Sequence, residues 1–283
     1  MLYFTYKGVL FPTMSSSEKT LNYVEKEFQM LDDDIVTVTY PKSGTNWMLE
    51  ILGLVQYDGD PSWVRSRIVW DRSPWIDTDT GLEKALTYSP PRRLSSHLQF
   101  QFFPKSFLNS KAKIIYVVRN PKDVLVSHYH FSKSFKGFQD PGSMEESLET
   151  FLKGDMPFGS WFDHVRGWMK LKDRPNFFYF TYEELLHNPQ ESVEKICQIL
   201  GKTLNRQQID SVLENASFQK MKDNKMSNFT QVPDEYFDHD KGRFMRKGIS
   251  GDWKNHLTVA QSEYFDRVYQ EKMQGVNVIF QWN

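Results

Sequence analysis

Lys42 and the five residues after it, Ser43, Gly44, Thr45, Asn46 and Trp47, have the make-up of an anion-binding loop. The small residues let the backbone approach a ligand closely. Free N–H groups at the start of the following helix, together with the lysine, can hold a phosphate or sulfate. The lysine stands ahead of the glycine, so the G-x-x-x-x-G-K-[ST] spacing of a nucleoside-triphosphate site is absent. Taken alone, the segment also reads as an ordinary strand-to-helix turn with a good cap. A second set of cations lies far away in sequence. Arg119-Asn-Pro-Lys-Asp-Val-Leu-Val-Ser127 offers a guanidinium fork and a hydroxyl to one phosphate. Arg246-Lys-Gly-Ile-Ser-Gly-Asp-Trp-Lys254 adds Arg246, Lys247 and the flexible Gly248. A structural arginine and a solvated basic turn are the plainer readings of these two segments. Two separate cationic sites suit a nucleoside with phosphates at both ends. In P-loop enzymes a strand-end aspartate helps hold Mg²⁺, whereas here the strand ends in Arg119. A transferred sulfo group carries less negative charge than a phosphoryl group, so lysine and backbone donors can serve it without a metal. Sulfuryl transfer is the chemistry that fits, with a Mg²⁺- and ATP-dependent kinase as the competing enzyme class.

The surrounding pattern supplies elements to position these groups. The β-branched run Asp34-Ile-Val-Thr-Val-Thr39 predicts a strand, and Met48, Leu49, Ile51 and Leu52 predict a helix after the loop. Lys113-Ile-Ile-Tyr-Val-Val-Arg119 is a continuous apolar run that suits a strand buried on both faces. Asn120-Pro121 then opens a helix, with proline at an early position where its missing N–H matters little. A short strand is expected at Arg93-Leu-Ser-Ser-His97 and another at Asn176-Phe-Phe-Tyr-Phe-Thr181, followed by helical patterns up to Leu200. Residues 57–88 read as turn-rich and aromatic, residues 222–247 as an aperiodic lid or loop, and Thr258 to Met273 as an amphipathic helix. Strands alternating with helices predict an α/β fold in one domain spanning residues 1–283. Its central parallel sheet is flanked by helices, and a P-loop-like anion-binding loop, phosphosulfate-binding in what the resemblance below implies, lies beyond the strands' carboxyl ends. Thr39, His97, Arg119 and Tyr182 fall at such ends.

The formal net charge of −1 argues against nucleic acid or an anionic membrane surface as partner and favours a small ligand at a local basic site. No stretch approaches the length of a membrane span. The apolar N-terminal residues are interrupted by Lys7 and Gly8 and are expected to form a packed arm. The single cysteine, Cys197, sits in an apolar helical run and cannot make an internal disulfide, so a cytoplasmic location is expected.

The ordered set Tyr40-Pro-Lys-Ser-Gly-Thr-Asn-Trp47, Arg119 to Ser127 and Arg246 to Lys254 resembles the cytosolic sulfotransferases over nearly the whole chain. That resemblance implies 3′-phosphoadenosine 5′-phosphosulfate (PAPS) as donor, adenosine 3′,5′-bisphosphate (PAP) as product, and no metal. It implies that Lys42, Ser43, Gly44, Thr45, Asn46 and Trp47 hold the phosphosulfate. The 3′-phosphate falls to Arg119, Ser127, Arg246, Lys247 and Gly248, and the adenine to Trp47, Tyr182, Ser217 and Phe218. The family's catalytic histidine maps onto His97, a base for the acceptor hydroxyl, with Lys42 stabilising charge on the leaving oxygen and Ser127 restraining Lys42 until acceptor arrives. Without the family, a lone histidine at a strand end reads as structural.

Ser95-Ser-His97, Trp70-Asp-Arg-Ser-Pro-Trp75, Asn224-Lys-Met-Ser-Asn228 and Gly251-Asp-Trp-Lys-Asn-His256 are similar to the hydroxysteroid branch, where phenol-preferring relatives carry Lys-Thr-His. The implied acceptor is a small hydrophobic alcohol, a hydroxysteroid or bile acid. Phenols or amines, or a non-catalytic steroid or nucleotide binder, are the alternatives. Trp70, Trp75, Phe131, Phe135, Phe229 and Tyr236 are the expected pocket lining. Gln99, Ser132 and Phe135 depart from the branch pattern, which usually has proline, tryptophan and methionine there, and they imply a reshaped pocket. His128 and His130 are unusual beside Ser127. Lys254-Asn-His-Leu-Thr-Val-Ala-Gln-Ser-Glu263 matches the family's dimer segment and implies a homodimer through a small two-fold contact.

Overall fold

The computed structural model describes residues 1–276 and 278–280. The N-terminal arm folds as an antiparallel hairpin, β1 (Tyr3–Tyr6) and β2 (Val9–Pro12), with Tyr6 and Phe11 buried. It is packed, as its apolar composition predicts. The apolar runs then form a parallel sheet of β3 (Ile35–Thr39), β4 (Arg93–Ser96), β5 (Lys113–Val118) and β6 (Phe177–Thr181), in the spatial order β4-β3-β5-β6. Val36 pairs with Leu94 on one side and with Ile114 on the other, and Ile114 pairs with Phe177.

The strand period of two divides the core. Val36, Val38, Ile114, Tyr116 and Val118 belong to one apolar cluster with Leu21, Phe151, Trp161, Trp168 and Phe265. Ile115, Val117 and Phe180 belong to a second cluster with Met48, Ile51, Val55, Val193, Ile196 and Val212. Helices therefore cover both faces, which is why β5 needs apolar residues throughout and reads as a continuous run. Cys197 is buried in the second cluster.

Three stretches differ from the sequence reading or sharpen it. Residues 57–88 hold three short helices, Ser62–Ser66, Val69–Arg72 and Asp79–Thr87. The Thr78 hydroxyl accepts the Gly81 N–H to start the last of them. This stretch is tied to the core by a buried ion pair between Arg72 and Glu50, and Ser227 Oγ donates to Glu50 Oε2 at 2.7 Å. Glu18–Lys26, Arg206–Asn215 and Phe218–Asp223 are helices beyond the sequence reading, as are two others. Met144–Lys153 begins with a capping box of Ser143 and Glu146, and at Trp161–Met169 the Ser160 hydroxyl accepts from Asp163 N–H. Residues 224–251 contain neither helix nor strand, in agreement with the aperiodic composition. The amphipathic pattern near the C-terminus forms the helix Val259–Lys272, capped by Thr258.

Candidate active site

All four strands of the sheet point the same way, so the residues after Thr39, Ser96, Val118 and Thr181 meet along one edge. At this edge the chain encloses a cavity of about 460 Å³ lined by Lys42, Gly44, Thr45, Asn46, Trp47, His97, Arg119, Ser127 and Tyr182, among others.

The loop between β3 and the helix Thr45–Gln56 is held by the Ser43 N–H donating to the Tyr40 carbonyl, 3.2 Å, and by the Thr39 and Thr45 hydroxyls 2.7 Å apart. Gly44 has φ 105°, and a Cβ there would sit 2.8 Å from a Tyr182 ring carbon. Only glycine allows both that backbone conformation and that approach. The helix start carries no side-chain cap, so its first N–H groups remain available to a ligand. Buried around the loop, Ser43 Oγ, Asn46 Nδ2 and Arg119 Nε have no hydrogen-bond partner. A buried polar group left unpaired costs about 1–3 kcal/mol. Two of the three can only donate, and that chemistry matches an anion.

The second cationic group joins the first through Arg119. Its guanidinium lies over the Tyr182 ring at 4.2 Å and donates to the carbonyls of Lys42, 3.3 Å, and Ile249, 2.9 Å. Arg246 and Lys247 both pair with Asp252, at 2.7 and 2.6 Å. Burial alone would raise the Asp252 carboxyl, but hydrogen bonds from Lys247, Asn255 and Arg246 hold it well below the usual carboxylate range. Gly248 has φ 68°, and a Cβ there would lie 2.2 Å from the Phe218 ring, so a side chain would drive that ring out of place. Phe218 and Trp47 both line the cavity. Trp47 is fixed by donating its indole N–H to the Ala216 carbonyl, 2.9 Å. Ser43 and Ser217 are not among the lining residues. Ser43 is fully buried beneath the loop, and the Ser217 hydroxyl caps the helix Phe218–Asp223.

His97 follows β4 directly. Its Nδ1 lies 2.9 Å from the Thr39 carbonyl, which can only accept, so Nδ1 carries the proton. Nε2 is then the basic nitrogen, and it accepts the Trp75 indole N–H at 3.1 Å. Burial pushes the imidazole down to about 4, with the Lys42 charge acting in the same direction against the Thr39 contact. Asp77, which the sequence reading passed over, lines the cavity beside His97 and accepts its backbone N–H at 3.1 Å. Burial raises the Asp77 carboxyl to about 6.

Lys42 itself is half-buried in the cavity wall. Its ammonium is 3.9 Å from the Phe131 ring centroid and 4.2 Å from that of Phe244. Burial, followed by the charges of Arg119 and Arg246, pushes it down to about 7. No hydrogen bond joins Ser127 to Lys42 among the described residues, and the ammonium lies over two aromatic rings.

The aromatic end of the cavity contains Trp70, Trp75, Phe131, Phe135 and Phe229, as expected from the sequence, and also Phe138, Phe158 and Phe244. Tyr236 is a correction. It is 39% exposed and is not among the lining residues, and its carbonyl accepts from the Lys136 N–H at 2.9 Å. Gln99 is buried with its amide donating to the Phe158 carbonyl, 3.2 Å, so it holds a cavity residue in position. Ser132 is hydrogen-bonded to His128, 3.0 Å, and neither His128 nor His130 lines the cavity.

This site has counterparts among known proteins. The family described as sulfotransferase domain matches residues 32–277. The chain belongs to the sulfotransferase family. It is 50% identical to Sulfotransferase 2B1 of Mus musculus over 281 residues, covering 99% of this chain and 83% of that one. The 3-beta-hydroxysteroid sulfotransferase of Cavia porcellus is 48% identical over 270 residues, covering 95% and 94% of the two chains. Among solved structures, mouse sulfotransferase SULT7A1 complexed with PAP superposes with a TM-score of 0.82 at 32% identity, covering 98% of this chain and 95% of that one. In this sulfotransferase fold the anion loop, His97 and the aromatic cavity share one edge of the sheet.

Proposed function

We propose that this sulfotransferase moves the sulfo group of PAPS to a hydroxyl of a hydroxysteroid or bile-acid alcohol. The observation that carries this reading is the meeting of unpaired buried donors, Asn46 Nδ2 and Arg119 Nε, with a neutral histidine at the inner end of one aromatic-lined cavity. PAPS, when bound, supplies a sulfo group already joined to a good leaving phosphate. The residues fit it at both ends. Lys42 to Trp47 take the phosphosulfate, Arg119, Ser127, Arg246, Lys247 and Gly248 the 3′-phosphate, and Trp47, Tyr182 and Phe218 the adenine. Arg246 and Lys247 then exchange Asp252 for the stronger charge of a phosphate.

His97 Nε2 takes the proton from the acceptor hydroxyl as its oxygen attacks. For this the Trp75 indole must release Nε2. Lys42 stabilises negative charge on the departing phosphate oxygen. The rings of Trp70, Trp75, Phe131, Phe135, Phe138, Phe158 and Phe229 enclose the acceptor skeleton and exclude water, and the hydroxysteroid sulfotransferase of Cavia porcellus is a close relative in sequence.

A cytoplasmic homodimer accompanies this reading. It is supported by the buried lone Cys197 and by Lys254, Glu263 and a 76% exposed Val259 on the C-terminal segment. A sedimentation mass of one chain at micromolar concentration would contradict the dimer.

The acceptor class is tested with labelled PAPS and a panel of steroids, bile acids, phenols and amines, in buffer containing EDTA. Hydroxysteroids or bile acids are expected to give the highest kcat/KM. A phenol or amine turned over faster would reassign the acceptor, and label transfer that needed added metal would contradict the metal-free chemistry.

A further inference from the structure

The wall of the cavity is not aromatic throughout. Ser15, Thr80 and Lys84 line it together, and all three are at least partly exposed, so they mark its mouth. Thr80 and Lys84 stand four residues apart on the helix Asp79–Thr87 and share one face of it. That helix begins beside His97. Its cap, Thr78, donates its hydroxyl to the Trp75 carbonyl at 3.0 Å, the Trp75 indole holds His97 Nε2, and Asp77 accepts the His97 backbone N–H. Lys84 lies about 9 Å farther along the helix axis than Thr78. Its ammonium pairs with the carboxylate of Asp71, which comes from the neighbouring helix Val69–Arg72, one residue past the cavity-lining Trp70. Tyr88, which ends the first helix, donates its hydroxyl to the Asp71 carbonyl at 2.7 Å and holds the two helices together there. The Lys84 and Asp71 side chains are 44% and 41% exposed. An ion pair so exposed adds little stability, so a ligand group can enter between its partners at small cost. Trp75 at the His97 end, and Trp70 meeting Phe229 edge-on at 5.5 Å at the other, make the intervening wall apolar.

We infer that Lys84 and Asp71 are specificity-determining residues that select an acceptor with a second, uncharged hydroxyl at the end opposite the one that reacts. This selection rests on the reading of the aromatic cavity as the acceptor site. A span of about 9 Å along the helix suits a rigid fused-ring skeleton laid from His97 to the mouth. The charge pair then chooses the far substituent. A hydroxyl accepts from the Lys84 ammonium and donates to the Asp71 carboxylate, so it satisfies both. A ketone can only accept and uses Lys84 alone. A carboxylate gains Lys84 but is repelled by Asp71, and a bare hydrocarbon leaves the pair to itself. The favoured class is therefore a rigid diol, hydroxylated at both ends, over a bile acid with an anionic tail. The far hydroxyl keeps the same contacts while the near one reacts, so its gain falls in KM and not in kcat.

Four acceptors test the selection: 3-hydroxyandrostanes that carry a 17β-hydroxyl, a 17-ketone, a 17β-carboxylate or only hydrogen at carbon 17, with sulfation counted at carbon 3. In the wild type the diol is expected to have a KM about tenfold below that of the unsubstituted alcohol at similar kcat, with the ketone between them and the carboxylate no better than the unsubstituted alcohol. Lys84→Met should bring the KM of the ketone to within about twofold of the unsubstituted alcohol. Asp71→Asn keeps the shape and leaves Lys84 charged, so it should lower the KM of the carboxylate about fivefold. Equal KM for the diol and the unsubstituted alcohol in the wild type, or an advantage of the ketone that survives in Lys84→Met, overturns the selection. The carboxylate as best acceptor of the wild type overturns it in favour of an anionic tail. No sulfation of any of the four while a phenol is sulfated from PAPS overturns the acceptor reading first, and the selection with it.

Discussion

His97→Ala is expected to lower sulfo transfer about a thousandfold, within the range for a lost general base, while PAP binds within a factor of about two of wild type. The imidazole is fixed by Thr39 through Nδ1, and its only contact with the reacting region is Nε2, so removing it takes away proton acceptance and leaves the anion loop intact. The pH profile carries the same signature. Burial holds His97 at about 4, below its ordinary value, so the free enzyme keeps its base neutral at any pH above that. The kcat/KM of wild type should therefore stay level down to about pH 5 and fall only as pH drops through the His97 value, unlike an exposed histidine, which fails near 6.5. Turnover in His97→Ala above a tenth of wild type contradicts the role.

Lys42→Met and Arg119→Ala are expected to fail in different ways. Lys42 faces no acceptor or carboxylate in the resting site, so its main contribution comes when charge develops on the leaving oxygen. Its loss should lower kcat about 100- to 1000-fold and weaken PAP by less than about tenfold, because the ammonium also senses the bound anion. Arg119 is already oriented by the Lys42 and Ile249 carbonyls and by the Tyr182 ring, with Nε left unpaired in the cavity wall. Its loss should weaken PAP about 10- to 100-fold, the range for hydrogen bonds to a charged group. Steady-state kinetics combined with PAP titration separates the two, and the reverse pattern contradicts the site map.

The anion loop, the sheet and both cationic segments were legible because each is a local pattern. A β-branched run ends in a small-residue turn at Lys42 to Thr45, and an apolar run ends in Arg119, so strand position and ligand chemistry are encoded within a few residues. The role proposed for His97 came only through resemblance, since its contact with Thr39 and the lowered basicity of its part-buried ring arise from tertiary packing. Tyr236 was misplaced because nothing periodic in residues 224–251 says which side chains turn inward, and there Phe229 and Phe244 do so instead. Phe158 and Phe138 enter the cavity from separate turns, and only tertiary packing brings them together. The helix Met144–Lys153 did carry a signal, the Ser143 and Glu146 capping box, which the spacing of its polar residues could have revealed. Helices within residues 57–88 were hidden because short helices depend on partners such as Glu50 for Arg72 rather than on their own periodicity.

Calorimetric titration of PAP into the wild-type chain near pH 7 tests the central claim, that two cationic ends of one cleft hold a single nucleotide bisphosphate. One molecule per chain is expected to bind. The bound anion should raise Lys42 from about 7, so roughly half a proton is taken up on binding, an uptake read by repeating the titration in buffers of different ionisation enthalpy and lost in Lys42→Met. No binding heat in any buffer with folded protein, or binding with the same proton count in Lys42→Met, would contradict it.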